Sequence, residues 1–464
     1  MLSNDSPFLK SLTFIILAIS AGLMLTLASV NDGSSNDNHL EVSQLIIVKG
    51  HTPEYTDCWQ CYHPKFYHQT VAKFWTWFEI TSKENRIIFA QLINAFAGIF
   101  TLCICLVFIL GQPFNRMVQL FSFSMVALNP RFIAIHAQAS NDAFLIFFGT
   151  LMIYGLYQFL KKTSLKFFLI ILVASIFAGV TKGNSFVLMS GVVVVLLFKM
   201  ASIQAFTREI YLGSLLVFVG MNFLFVGYFG GYYDNYQKHG HPFQYNTPVS
   251  ELPDFWKETD FRRPGVKSIA SGYFTFRFFD MMKNPMITNE YGDNYPLHRT
   301  SVWSQLYGRS HFIYFDNWPA GKWQSNDPMM MNVGRGALIL ALFPSILFLI
   351  GFFKDLKIWW KLFTKKSFNF LNENSNWMFS IFNVGFLAFI ILFTAVGRDY
   401  SFMKVIYLFP GVLAAMIPFL KGFDWGFNFL KKSKIGISIF QMSIFTLLIL
   451  YLIPIFNLIG KLTM

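Results

Sequence analysis

Charge is scarce in this chain: Asp, Glu, Lys and Arg make up 13% of its 464 residues, about half the share in soluble proteins. Hydrophobic residues reach 54%, with 57 phenylalanines. A water-soluble fold could not hide that much apolar surface, so the composition excludes a soluble enzyme and makes lipid the main solvent. The formal charge of +13 lacks the single basic stripe of a nucleic-acid binder. Its Lys and Arg lie in short clusters between apolar runs, which is how membrane topology is written, and no nucleic-acid partner is expected. There is no internal repeat and no low-complexity tract beyond the phenylalanine bias. The first apolar run has no small-residue cleavage site after it and reads as a retained helix.

What is present is a series of about eleven apolar runs long enough to span a bilayer, near 11–30, 87–110, 117–135, 143–160, 166–181, 184–198, 209–231, 335–353, 377–396, 402–420 and 435–457. The fold class expected is an all-α polytopic membrane protein. Lys10, Lys161, Lys162, Lys166, Lys199, Arg208, Lys354, Lys357, Lys361, Lys365, Lys366, Lys431, Lys432 and Lys434 then fall on one side, which the positive-inside rule makes cytoplasmic. Two long segments lie on the other, outer side. The chain divides into an N-terminal transmembrane module 1–231 with a first outer loop at 31–86, an aromatic-rich extracytoplasmic region at 232–334, and C-terminal transmembrane helices at 335–464. The outer loops hold no Asn-x-Ser/Thr acceptor, which leans towards a bacterial inner membrane with the site facing the periplasm. In a eukaryote the membrane would be that of the endoplasmic reticulum.

Polar residues gather at the outer helix ends. In "NDGSSNDNHLEV", Asp37, His39 and Glu41 follow the first span. A carboxylate there, at reduced dielectric, can act as a general base on an acceptor hydroxyl, although a solvated polar turn would have the same composition. In "HPKFYHQTVAKFWTWFEI", Phe66, Thr70, Phe74 and Phe78 recur at spacing four beside Tyr67, Val71 and Trp75, which predicts an amphipathic juxtamembrane helix. In "NPRFIAIHAQASNDAF", Asn129-Pro130 ends a helix, Ser140-Asn141-Asp142 reads as a helix N-cap, and Arg131 and His136 stand between. In "AVGRDYSFMKVIYLFPG", Arg398 lies in a short outer turn, with Lys404 and Tyr407 just inside the tenth span. A lysine there snorkels or pairs, and a phosphate at the interface would suit it.

Cys58 and Cys61 are the two cysteines in a polar segment, in "DCWQCYHPKFYHQ". With His63 and His68 they could ligate zinc, although all four fall within eleven residues whereas structural sites draw on separated pairs. On the outer side a disulfide is the competing reading, and free thiols a third.

Taken together and in order, these motifs resemble the GT-C superfamily of membrane glycosyltransferases, such as protein O-mannosyltransferases of the family 39 type and aminoarabinose transferases. The resemblance rests on Asp37 in "DNHLE", on His63-Pro64-Lys65-Phe66-Tyr67, on Ser140-Asn141-Asp142 and on Lys404 in "SFMKVIYLFPG". It implies transfer of a sugar from a polyprenyl-phosphate donor to an extracytoplasmic hydroxyl of a glycan, lipid or protein, with inversion. Asp37 would be the base. His39, Glu41, His63, Tyr67, Arg131, His136, Asn141, Asp142, Arg398, Lys404 and Tyr407 would contact substrate, and Lys404, with Arg398 or Arg131, would hold the donor phosphate. Asn38 stands where members often carry a second acid, so no metal or other cofactor is expected. The alternative class is a transporter or lipid flippase, against which stand the missing repeat and the polar residues at helix ends rather than mid-membrane.

Overall fold

A computed structural model describes residues 7–31, 39–54, 57–58, 60–203, 205–243, 268–285, 300–312, 327–365, 371, 375–397, 403–431 and 433–463. Within them the chain is helical throughout, with no strand. In lipid, backbone groups must be paired internally, and a helix does so within one segment. The helices are α1 (Pro7–Val30), α2 (His39–Lys49), α3 (Phe66–Trp77), α4 (Lys83–Leu110), α5 (Arg116–Ala127), α6 (Pro130–His136), α7 (Asp142–Lys161), α8 (Leu165–Gly179), α9 (Ser185–Ala201), α10 (Ala205–Phe229) and α11 (Tyr232–His239). They continue with α12 (Ile269–Tyr273), α13 (Phe278–Lys283), α14 (Val302–His311), α15 (Pro328–Lys365), α16 (Trp377–Gly397), a 3-10 segment Val405–Gly411, α17 (Val412–Leu430) and α18 (Lys434–Thr463).

Eight of these elements are long and apolar enough to cross a membrane. The expected span at 117–135 is a broken one. α5 stops at Ala127, Asn129 caps a new helix with Pro130 in its first turn, and the two pieces meet at 50°. The physical reason is the proline, which cannot continue the i to i−4 ladder and sets its predecessor to extended backbone. α8 and α9, with 15 and 17 residues, are shorter than the ~20 residues of a usual span. α8 nevertheless has contacts anchoring both of its ends. Thr163, just before α8, bonds the Tyr211 hydroxyl of α10 at 3.1 Å, and Val180, just after it, accepts from the backbone of Phe66 at 3.2 Å. With the broken pair counted as one span, nine stretches among the described residues are long and apolar enough to cross, α8 and α9 being apolar but shorter.

The face bearing the α1–α4 connection is called the loop face below, and the opposite one, with Lys161, Lys199 and Lys357, the lysine face. α15 is longer than expected at 38 residues. It begins on the loop face, where Lys461 of α18 lies 3.7 Å from Asp327. Towards the lysine face α15 and α17 pack backbone on backbone. A methyl group on Gly351 would meet the carbonyl of Pro418, and one on Gly422 that of Leu347. Small residues at such crossings let helices touch in lipid. Beside this contact the Lys421 amine bonds the Asp355 carboxylate.

Candidate functional site

The first loop-face connection folds as α2, a tight turn and α3. Cys58 and Cys61 are joined by a disulfide, so the cysteine motif is a pinned turn rather than a zinc site. Lys49 at the end of α2 pairs with Asp57 at 2.7 Å and, with the Glu54 amide, holds that exposed carboxyl below its ordinary range. Lys65, half-buried, donates to the carbonyl of Cys61 and, at 2.9 Å, to that of His63. Desolvation takes its amine down to about 7.

α3 has the expected place and length but packs by a different face. Tyr67, His68, Val71, Ala72 and Trp75 are buried, while Trp77 and Phe78 at its far end are exposed. The flank of the aromatic stripe meets the protein, against Leu40, Ile87, Ala90 and Ala139, and the end of the stripe is left facing outwards. His68 thereby turns inwards.

Three histidines then line up. The ring of His39, the first residue of α2, stacks on both neighbours, 6.0 Å from His63 and 5.9 Å from His68. His63 and His68 lose their charge well below the usual imidazole pKa. Burial is the main cause in each, followed by Lys182 for His63 and by His39 for His68. His63 and His68 are therefore neutral at pH 7.

The α6–α7 link closes the site. Asn141 holds the N-cap position of α7, yet its side chain caps nothing. Within the expected Ser140-Asn141-Asp142 cap, Ser140 is the residue that caps: its hydroxyl accepts the Asp142 N–H at 3.2 Å and donates to the Asp142 carboxylate at 3.0 Å. Asn141 follows helical backbone angles here, so its side chain cannot reach back to the first free amides as an extended N-cap would. The other oxygen of Asp142 takes the Lys182 amine at 2.7 Å, with both side chains about nine-tenths buried. Arg131 and His39 also feel the Asp142 charge. Asn94 on α4 ties the parts together. Its Nδ2 donates to the carbonyls of Gln138 and Ser140 at 2.7 Å each and, at 3.3 Å, to the Tyr67 hydroxyl.

Of the residues singled out in the sequence, His39, His63, Tyr67, Arg131, Asn141 and Asp142 thus meet at one place. His136 is fully buried, with Nδ1 on the Phe132 carbonyl at 2.8 Å and its ring against Gly98, where a methyl would come within 2.6 Å. Glu41 lies in the first turn of α2. Lys404 precedes the 3-10 segment, and Tyr407 packs on Phe389 and Phe393. That segment lies against α7 and α16. Asp37 and Arg398 lie outside the described residues.

Sequence reasoning missed Lys182, Asn94 and the inward turn of His68. Lys182 carried a signal: in "TKGNS" it stands in a short link on the side that the lysine clusters leave bare. Asn94, a lone amide inside an apolar run, carried none that separates it from a packing residue. Among the described residues no three His, Cys, Asp or Glu side chains are grouped as ligands, and the amines of Lys65 and Lys182 act on the histidines.

Residues 62–230 match the family model described as dolichyl-phosphate-mannose-protein mannosyltransferase. Over that segment, which holds most of the cluster, the likeness to GT-C glycosyltransferases implied by the motifs is met. No curated protein matches the sequence. Among solved structures, the S. cerevisiae protein O-mannosyltransferase complex bound to its sugar donor is 15% identical, with 57% of this chain and 38% of that chain covered and a TM-score of 0.41. ArnT from Cupriavidus metallidurans bound to undecaprenyl phosphate is 12% identical, over 89% and 77%, at 0.39. The Archaeoglobus fulgidus oligosaccharyltransferase is 12% identical, over 97% and 56%, at 0.46. This chain thus spans well under two thirds of the yeast and archaeal chains.

Proposed function

We propose that this protein is a membrane glycosyltransferase that moves a sugar from a polyprenyl-phosphate donor to the hydroxyl of a glycan, lipid or protein on the loop face. The observation that carries this reading is the buried loop-face cluster of Asp142, Lys182, Arg131 and three histidines, of which His63 and His68 are held neutral, which falls mostly within the segment matching the mannosyltransferase model. A charged cluster at a helix-end interface, rather than mid-membrane, suits a lipid-borne substrate whose phosphate sits at headgroup level.

In this reading Asp37 takes the proton of the acceptor hydroxyl. The acceptor oxygen attacks the anomeric carbon from the face opposite the phosphate, and the bond from that carbon to the phosphate oxygen breaks. The bonding pair leaves with the polyprenyl phosphate, so the configuration inverts, by the logic of one-step displacement at a sugar. Lys404, Arg398 and Arg131 stabilise the charge that develops on the phosphate. Glu41, His136 and Tyr407 stay assigned to the surrounding substrate-binding shell. The loop face is extracytoplasmic, the periplasmic side of an inner membrane, as the lysine bias of the other face directs.

The test is sugar transfer in proteoliposomes from synthetic polyprenyl phosphomannose and a panel of other polyprenyl-phosphate sugars. Asp37→Asn should lower turnover at least ~100-fold, as the loss of a general base does, with normal insertion, and NMR of the product should show the inverted anomer. Near-normal turnover by Asp37→Asn, or no transfer by the parent protein from any such donor, would sink the assignment.

A further inference from the structure

We infer that Tyr67, Asn94 and Asn141 form a neutral polar wall that reads the hydroxyls of the donor's sugar ring. The inference rests on the proposed function and adds which part of the donor this corner recognises.

Asn141 is fully buried, and neither its Oδ1 nor its Nδ2 has a hydrogen-bond partner in the protein. Its place at the head of α7 would let it cap the helix, but Ser140 has taken that task. Asn94 is also fully buried. Its two short bonds to Gln138 and Ser140 use both amide hydrogens, and its Oδ1 has no partner. The Tyr67 hydroxyl, buried as well, lies 3.3 Å from the same Asn94 nitrogen, which can only donate, so the contact does not consume the Tyr67 O–H. Burial keeps the phenol protonated, since desolvation raises its pKa.

Buried polar groups are nearly always paired, and each one left unmade costs stability. Here unspent groups occur on two residues of one corner, Asn141 and the Asn94 that bonds the carbonyl just before it, with Tyr67 offering a donor. None of the three carries a charge, so the set does not suit a phosphate, for which this corner has the Lys182 amine and the Arg131 guanidinium instead. It suits a ring of hydroxyls, each of which both donates and accepts. A side-chain amide presents an acceptor beside a donor and so can serve two neighbouring hydroxyls at once. Placement agrees: the residue after Asn141 is Asp142, whose carboxylate holds Lys182 at 2.7 Å, so the neutral wall adjoins a cation as a sugar adjoins its phosphate. A site built for hydroxyls rejects ligands that lack them, because its buried groups then stay unpaired.

The experiment compares binding of polyprenyl phosphate with and without one mannose to the detergent-solubilised full chain, alongside its melting temperature. In the parent, the mannose should tighten binding by about tenfold or more, roughly one to two hydrogen bonds' worth. Asn141→Ala should lose that gain, bind the bare lipid phosphate as before and melt no lower, since it removes two unsatisfied groups. Tyr67→Phe, which deletes one oxygen, should lose part of the same gain and guards against a folding defect in Asn141→Ala. The inference is overturned if both variants keep the full mannose gain, if both lose affinity equally for the bare and the mannosylated lipid, or if Asn141→Ala melts lower yet keeps the mannose gain. A parent that binds neither lipid would instead overturn the proposed function and this inference with it.

Discussion

Among the described residues, two inward-facing Asp–Lys pairs are surrounded differently. Asp355 and Lys421 join α15 to α17 beside a crossing where Gly351 and Gly422 bring the two backbones into contact. Asp142 and Lys182 join the α6–α7 link to the α8–α9 link, among three histidines, Arg131, and two amides with unspent polar atoms. The same two functional groups serve as a clamp in one place and as part of a candidate site in the other. What separates them is the neighbourhood: close-packed backbone around the first, where Asp355 Oδ2 is left without a partner, and two side-chain amides with unspent atoms beside the second. Natural proteins carry such unmade bonds mostly where function requires them.

The largest effect expected is at the clamp. Gly422→Leu drives a side chain into the Leu347 backbone, which no rotamer relieves. It should yield no monodisperse protein on size-exclusion chromatography, and a folded Gly422→Leu would mean the crossing is looser than described.

Next come the pairs themselves. Removing one partner of a buried pair strands a charge and costs about 3 kcal/mol or more, whereas replacing both by apolar residues can be neutral. Asp355→Leu with Lys421→Met should therefore restore the melting temperature lost by Asp355→Leu alone, with transfer per folded molecule unchanged. Asp142→Leu with Lys182→Met should also fold, yet transfer should fall to about 1% or less, the scale of losing an electrostatic contact in the transition state. Equal transfer by the two double variants would erase the distinction drawn between them.

The smallest effect concerns a polar network whose members do find partners. His311 at the end of α14 bonds the Tyr451 hydroxyl and, at 3.0 Å, Ser345 on α15. Burial holds its pKa at about 3, against about 6.5 in an unfolded chain. Between those values the unfolded chain binds the extra proton. The stability contributed is thus full above pH 6.5 and is lost as pH falls towards 3, by about 1.4 kcal/mol per pH unit. His311→Gln should flatten the fall in melting temperature between pH 6.5 and 4.5 in detergent while leaving transfer at pH 7.5 near that of the parent. A changed rate without a changed acid limb would place His311 with the site rather than with the scaffold.

Sequence alone determined the solvent and the order of the helices. Apolar runs near twenty residues long can lie stably only across a bilayer, and lysine clusters on alternate links sort the faces, because both depend on local composition. The break at Asn129-Pro130 was legible for the same reason, as was the gathering of polar residues at one set of helix ends. The disulfide was legible only as one of three outcomes, since spacing does not fix redox state. Tertiary structure decided the rest. Which flank of α3 is buried depends on what α4 and α7 offer it, and that choice turned His68 inwards. Lys182 becomes the partner of Asp142, 40 residues away, only when α7 and α8 fold back on one another. That Asn141 caps nothing depends on a backbone angle and on the hydroxyl next door. Local pattern sets where a helix runs; pairing between helices follows from how they pack, and no single run of residues encodes it.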